Sequence, residues 1–390
     1  MARCPVCASA VLEPFLDLGD VPVFCNVQWP SVDEALRAKR APLALSACPA
    51  CGHVCNASYD PDLLAYAPGY DNTQHFSSTF RDYARRLVRR LVDAYDIRGR
   101  TVVDIGCGRG DLLQMLCAEG GNRGFGFDPS FAGAGAEGPA DVTISRELFT
   151  PERGAELAPG LVCCRHVLEH VAAPDDFLVS LRAAVSGRGA PVVYLEVPNG
   201  EQLLRESALW DYIYEHVSYF SRRSLALSLE KAGFEILALY EDFGGQFLCA
   251  DMRPRPGAAP GPGTAADPGG YSAALEAAAR HMSEKLRHWR RWTRSLASDG
   301  RAAAVWGAGS KGVMFLNLTG AKSPKPIEFA VDQNPNKHGQ YIAGTGQQVA
   351  PPERIVASGV EEVVVMNQIY FQEITNQLSL LGSRARVLTA

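Results

Sequence analysis

The sequence predicts an α/β protein: a Rossmann-like core, a small cysteine-stapled module before it, and a second Rossmann-like α/β unit after it. Three observations carry that expectation. Apolar strand-like runs alternate with helix-like segments, the pattern of a parallel sheet covered on both faces. Two glycine turns, at 106–110 and 307–312, each follow a strand and open a helix. Two Cys-x-x-Cys pairs stand near the N-terminus. A chain of 390 residues exceeds what one hydrophobic core usually serves. The expected division is a module over 1–60, a core over 61–253, a Pro/Gly-rich linker over 254–271, and a linking helix with the C-terminal domain over 272–390.

In the module, Cys4-Pro-Val-Cys7 and Cys48-Pro-Ala-Cys51 are two knuckles, each able to wrap a metal ion from a tight turn. Together they complete a tetrahedral Cys4 set, which points to one structural zinc with no open position for catalysis. Cys25 and Cys55 fall outside the pattern and are expected to be free thiols. A chain without a recognisable export signal keeps most thiols reduced, so eleven cysteines read as ligands and core residues, not disulfides. So short a module has too little core to be stable alone.

The core opens with "FSSTFRDYARRLVRRLVDAYDI", whose Phe76, Phe80, Ala84, Leu87, Leu91 and Tyr95 share one helical face. Then come "TVVDIGCGRGDLLQMLCAEG" (strand, turn, helix), "RGFGFDPS" (a strand ending in Asp128), "DVTIS", "LVCCRHVLEHV" and "APVVYLEVPN". After residue 253, "RPRPGAAPGPGTAADPGG" lacks apolar surface and reads as a linker. A long amphipathic helix follows from about Ser272, with Leu275, Met282, Leu286 and Trp289 on one stripe. "RAAAVWGAGSKGVMFLNL", "IEFAVD" and "EEVVVMN" begin the α/β pattern again.

Composition narrows the partners. A net charge of −5 without a long basic run argues against nucleic acid. No apolar run approaches the ~20 residues that span a bilayer, and "MARCPVCASA" has no signal-like apolar core. The expected location is the cytoplasm.

Gly106, Gly108 and Gly110 lack Cβ atoms and let the backbone approach a ligand closely. Asp104 precedes the turn, and Asp128 ends the next strand, where a carboxylate can hold both hydroxyls of a ribose. These residues resemble the class I S-adenosylmethionine (SAM)-dependent methyltransferases. The resemblance implies that Asp104, Gly106, Gly108, Gly110 and Asp128 bind SAM. "CCRHVLEHV" resembles the stretch after the fourth strand of that family, which places Arg165 and His166 beside the cofactor. His170, within "VLEHV", is expected to be structural. The second turn, Gly307-Ala-Gly309-Ser-Lys311-Gly312, has dinucleotide spacing and Asp332 ends its following strand. Only half a dinucleotide fold remains after it, however, and Lys311 before a helix N-terminus suits a phosphate better.

Over nearly its whole length the chain resembles the nucleotide-sugar C-methyltransferases of deoxysugar biosynthesis. The carriers are "EHVSYFS", "WGAGSKGVMFLN" and "FAVDQNPNKHGQYIAGTGQQVAPPE". The resemblance implies that Gly307, Gly309 and Lys311 help hold a nucleotide-sugar and that the Glu215-His216 pair lies beside the reacting carbon. A carbon next to a ketone needs a base at neutral pH. His216 would be that base, with Glu215 or a tyrosine such as Tyr214 orienting it and tyrosine hydroxyls stabilising enolate charge. The sequence departs from the family where Tyr214-Glu215-His216 replaces Tyr-His-Glu-His, where "GYDNTQHFSSTF" replaces a Tyr-His-Ser stretch, and where Gly-Ala-Gly-Ser-Lys-Gly replaces Gly-Ala-x-Ala-Lys-Gly. The alternatives are an O- or N-methyltransferase of a natural-product intermediate, a scaffold whose core has lost catalysis, and a nicotinamide oxidoreductase.

Overall fold

The computed structural model describes residues 3–64, 73–131, 133, 141–187, 191–255, 271–321 and 326–390. Most of the expected linker, and the start of "GYDNTQHFSSTF", lie outside them.

The N-terminal module contains β1 (Glu13–Pro22), α1 (Val32–Leu36), β2 (Arg40–Ala47) and β3 (Val54–Asn56). The core follows with α2 (Ser78–Tyr95), β4 (Thr101–Ile105), α3 (Asp111–Gly120), β5 (Arg123–Phe127), β6 (Val142–Ser145), α4 (Pro151–Leu157) and β7 (Leu161–Arg165). It continues with α5 (Pro174–Val185), β8 (Val192–Pro198), α6 (Gly200–Arg205), β9 (Ser218–Tyr219), α7 (Arg222–Lys231), β10 (Phe234–Asp242) and β11 (Phe247–Pro254). The C-terminal part comprises α8 (Tyr271–Asp299), β12 (Ala303–Trp306), α9 (Ser310–Thr319), β13 (Ile327–Val331), β14 (Gln348–Ala350), α10 (Arg354–Ser358), β15 (Glu362–Val365), α11 (Phe371–Leu380) and β16 (Arg386–Thr389).

The core sheet has the order β10-β11-β8-β7-β4-β5-β6. Strands β8, β7, β4, β5 and β6 are parallel, and β11 runs antiparallel between β8 and β10. From β4 the chain steps outward to β5 and β6, then returns to β7 on the other side. The crevice between the carboxyl ends of β4 and β7 is therefore the switch point where such sheets bind ligands. The C-terminal sheet, β14-β13-β12-β15-β16, is wholly parallel and repeats the logic around β12.

Local chemistry explains the helix starts. Ser77 caps α2 through its hydroxyl on the Phe80 N–H, so the helix begins after Phe76, which lies outside it and is exposed. The buried stripe of α2 also takes in Tyr83, Val88 and Val92. Helix α7 starts with a reciprocal Ser221/Ser224 capping box.

One element crosses the expected domain boundary. Strand β9, from the core segment, pairs antiparallel with β3 and completes the module's four-stranded sheet. Around it, Leu43 and Leu45 of the module, Trp210 and Tyr214 of the core segment, and Trp289 and Phe315 of the C-terminal part belong to one continuous apolar core. The module thus borrows the core it could not build alone, at about 1.5–3 kcal/mol per large buried side chain.

Candidate active site

The glycine turn after β4 is shaped by backbone requirements. Gly106 and Gly108 have φ of +67° and +55°. A Cβ on Gly106 would meet Val167 Cγ2 at 2.3 Å, whereas at Gly108 it would meet nothing within 4 Å. Gly108 therefore leaves open backbone at the crevice, as a close-lying ligand requires. Asp128 Oδ2 accepts the Gly108 N–H at 2.7 Å, and Oδ1 accepts Ser130 N–H and Oγ–H at 2.8 and 2.6 Å. The acid that ends β5 is thereby fixed against the turn. Asp104 is buried beneath it; burial raises its carboxyl to about 7, although Arg165 pulls the other way. These residues could hold SAM: an open glycine backbone and a carboxylate ending the next strand lie at the switch-point crevice.

At the end of β7, Arg165 donates Nε–H and Nη2–H to Glu196 Oε1 at 3.0 and 2.9 Å. Tyr194 donates to Glu196 Oε2 at 2.5 Å, and Tyr83 donates to the same oxygen. Burial opposes ionisation of Glu196, but Arg165 and then His166 hold it well below the usual carboxylate range. Arg165 is thus committed to a buried network behind the crevice. His166 lies 2.9 Å from Glu196 by Nε2 and 3.3 Å from Glu169 by Nδ1. Burial disfavours its charged form, yet the hydrogen bond to Glu169 and the neighbouring Glu196 carboxylate outweigh it and raise it to about 9.

A cavity of about 250 Å³ opens where all three units meet. His166, Glu169, His170 and His216 face it from the core, and Gly307, Gly309, Lys311 and Asp332 from the C-terminal domain. A larger surface depression, about 660 Å³ and lined by residues such as Glu328 and Arg354, lies on the β14 edge and holds none of these groups.

The Tyr214-Glu215-His216 triplet separates in space. Of the three, His216 alone lines the cavity among the described residues. Tyr214 instead faces the module, its hydroxyl accepting the Asp60 N–H at 2.9 Å. Glu215 Oε2 accepts the Cys25 N–H at 2.8 Å, and burial raises that carboxyl to about 7. The expected orienting contact from Glu215 or Tyr214 to His216 is replaced by these two braces to the module, because β9 carries the segment onto that sheet. His170, expected to be structural, also lines the cavity: its ring lies 4.7 Å from that of His216 at 86°, and Nδ1 is 3.1 Å from the Glu215 carbonyl. Burial, then the neighbouring His170 and His166, push His216 well below its ordinary value, so its ring is neutral. No sequence signal distinguished His170, since its neighbour His216 comes from a distant segment.

In the second turn, a Cβ on Gly312 would meet the Gly307 carbonyl oxygen at 1.9 Å, so the helix can approach the strand only with glycine there. Lys311 Nζ pairs with Asp211 Oδ1 at 2.5 Å. Asp332 Oδ2 accepts the Ala308 N–H at 3.0 Å and lies 3.5 Å from Lys337 Nζ. Asp332 therefore fixes the second turn as Asp128 fixes the first. In the module, Cys4 Sγ–Cys51 Sγ is 3.6 Å and Cys7 Sγ–Cys48 Sγ 3.5 Å, with all four sulfurs within 4.8 Å of one another. This set can hold one metal ion, while Cys25 and Cys55 are separate free thiols.

Residues 76–239 match the family described as a methyltransferase domain, and residues 271–387 match the C-methyltransferase C-terminal domain. The C-methyltransferase NovU of Streptomyces niveus is 25% identical over 410 aligned residues, covering 99% of this chain and 94% of that protein. Among solved structures, the 1,6-didemethyltoxoflavin-N1-methyltransferase of Burkholderia thailandensis is 18% identical, covering 46% of this chain and 81% of that one, with a TM-score of 0.34. Magnesium protoporphyrin IX methyltransferase from Synechocystis is 18% identical over 45% of this chain and 83% of that one, with a TM-score of 0.33. With a methyltransferase domain and a C-methyltransferase C-terminal domain matched in one chain, this protein is a SAM-dependent methyltransferase.

Proposed function

We propose that the enzyme methylates a carbon next to a carbonyl in a nucleotide-activated keto-sugar or related small metabolite of natural-product biosynthesis. The observation that carries this reading is the placement of neutral His216 in one cavity with the Gly307–Lys311 turn. A neutral imidazole can accept a proton, and a lysine at a helix N-terminus suits a diphosphate. The full-length likeness to NovU, itself named a C-methyltransferase, supports carbon as the methylated atom.

Asp128 and the 106–110 turn would hold SAM, which when bound supplies an electrophilic methyl group. His216 removes the acidic proton of the acceptor. His170, held by the Glu215 carbonyl, sets the orientation of the His216 ring through their edge-to-face contact. Gly307, Gly309 and Lys311 position the nucleotide part, with Lys311 exchanging Asp211 for phosphate. Cys4, Cys7, Cys48 and Cys51 hold a structural zinc: Zn–S bonds of about 2.3 Å imply sulfur separations of roughly 3.8 Å, close to the 3.5 and 3.6 Å found.

The test is solvent exchange. With SAM replaced by S-adenosylhomocysteine, the enzyme in deuterium oxide should exchange the α-hydrogen of a nucleoside-diphosphate keto-sugar, and His216→Asn should not. Exchange that survives the substitution assigns the base elsewhere. A methylated oxygen or nitrogen in the product removes the carbon-acid reading and leaves the methyltransferase intact.

A further inference from the structure

Glu169, His170 and His216 meet at one wall of the cavity, with one carboxylate oxygen and one nitrogen of each ring all within 4.8 Å of one another. We propose that they form a second metal site, distinct from the four cysteines, for a borderline divalent transition ion such as Zn²⁺, Co²⁺ or Ni²⁺. Occupation of the site switches methyl transfer off by capturing the lone pair of His216. That last consequence rests on the reading of His216 as the base; the site itself does not.

The donors are already arranged as ligands. Glu169 is 1% exposed, and its Oε2 is buried without a hydrogen-bond partner among the described residues. His216 Nδ1 is likewise buried and unpartnered. Leaving a buried polar atom unsatisfied costs about 1–3 kcal/mol, so two such atoms on residues of one cluster point to a group that completes them. The outer contacts have the form of a supporting shell around a metal. His170 Nδ1 is occupied by the Glu215 carbonyl at 3.1 Å, which leaves Nε2 as the nitrogen for an ion. Glu169 Oε1 lies 3.3 Å from His166 Nδ1, which leaves Oε2 for the ion. Two imidazoles and one carboxylate favour zinc, cobalt or nickel over magnesium or calcium, which prefer all-oxygen sets.

The cysteine set would surround its ion with four protein ligands. Here there are three, all from residues that line the cavity, so further positions would be left for water or substrate. An ion in this place is exchangeable and meets whatever occupies the acceptor site. Metal binding and proton abstraction then compete for the same imidazole.

Cobalt is the probe. Full-length protein with zinc on its cysteines is titrated with Co²⁺ and followed by absorption. One further equivalent should bind with visible d–d bands and without the intense near-ultraviolet band of cobalt–thiolate coordination. Glu169→Gln and His216→Gln should each weaken that binding by about tenfold or more. Methyl transfer should fall in step with occupancy and return on adding EDTA, with SAM affinity unchanged. Absorption no greater than that of the His216→Gln protein, or absorption carrying only the thiolate signature, overturns the site. If His216→Gln does not fold, Glu169→Gln, on another segment, makes the same comparison. Cobalt binding with undiminished turnover upholds the site and removes His216 as the base.

Discussion

The Glu215 carboxylate accepts the backbone N–H of Cys25 at 2.8 Å, across 190 positions of sequence. The bond ties the segment that carries His216 to the N-terminal module and turns the glutamate away from the cavity. Glu215→Gln keeps an acceptor oxygen in place, so turnover should change only a few-fold. Glu215→Ala leaves the Cys25 N–H unpaired and should cost about 1–3 kcal/mol of stability. His216→Asn should lower turnover by ~10²–10⁴ while SAM affinity stays the same. Steady-state kinetics beside calorimetric SAM binding separates these effects. A folded Glu215→Gln enzyme as slow as His216→Asn would place the carboxylate in the chemistry.

Asp128 would have two tasks, because the carboxylate proposed to hold the ribose also accepts the Gly108 N–H. Asp128→Ala removes the ribose acceptor and frees the turn, and SAM should bind at least about tenfold more weakly. Isothermal titration reads this directly. An unchanged dissociation constant would move the cofactor away from β5.

Asp104 makes stability depend on pH. Burial raises its carboxyl to about 7 in the folded protein, against roughly 3.9 unfolded. Between those values the native state binds more protons than the unfolded chain, so stability falls as pH rises through the window and the loss is complete above about 7. Each unit of separation is worth about 1.4 kcal/mol. Asp104→Asn removes the penalty, so its stability relative to wild type should improve from pH 5 to pH 7.5. Urea denaturation without cofactor at both values is the measurement, and parallel curves for the two proteins would contradict it.

Zinc should be present at about one equivalent in the purified protein, because four thiolates fill its tetrahedral shell. Cys48→Ser, or a strong chelator, should lower the melting temperature. The loss should reach the C-terminal domain as well, since Leu43, Tyr214 and Phe315 share one core. Elemental analysis and thermal denaturation test this. A zinc-free protein, or a Cys4–Cys51 disulfide, would end the proposal.

The strand–turn–helix proposed to hold the cofactor was legible because its parts are local. Asp104, Gly106, Gly108 and Gly110 lie on one strand–turn–helix, and Asp128 on the next strand, so the order of a parallel sheet brings them together. Strands β4 to β8 were equally plain. Strands β10 and β11 were not, because their pairing is antiparallel and β10 is only partly buried. The short strands β14 and β16, of three and four residues, carry too few positions for a periodic signal.

By itself, the sequence determined the α/β class, the two glycine turns, the cysteine set and the presence of an imidazole in an aromatic stretch. These depend on spacing within a few residues, where covalent connection limits the geometry. Only the tertiary structure decided which way the members of Tyr214-Glu215-His216 point, that His170 stands 4.7 Å from His216, and that the module shares its core with the C-terminal domain. Such contacts join segments far apart in the chain. Which group wins each one is settled by burial and by the hydrogen bonds left to satisfy, here the Cys25 and Asp60 N–H groups that claim Glu215 and Tyr214 and leave His216 to the cavity.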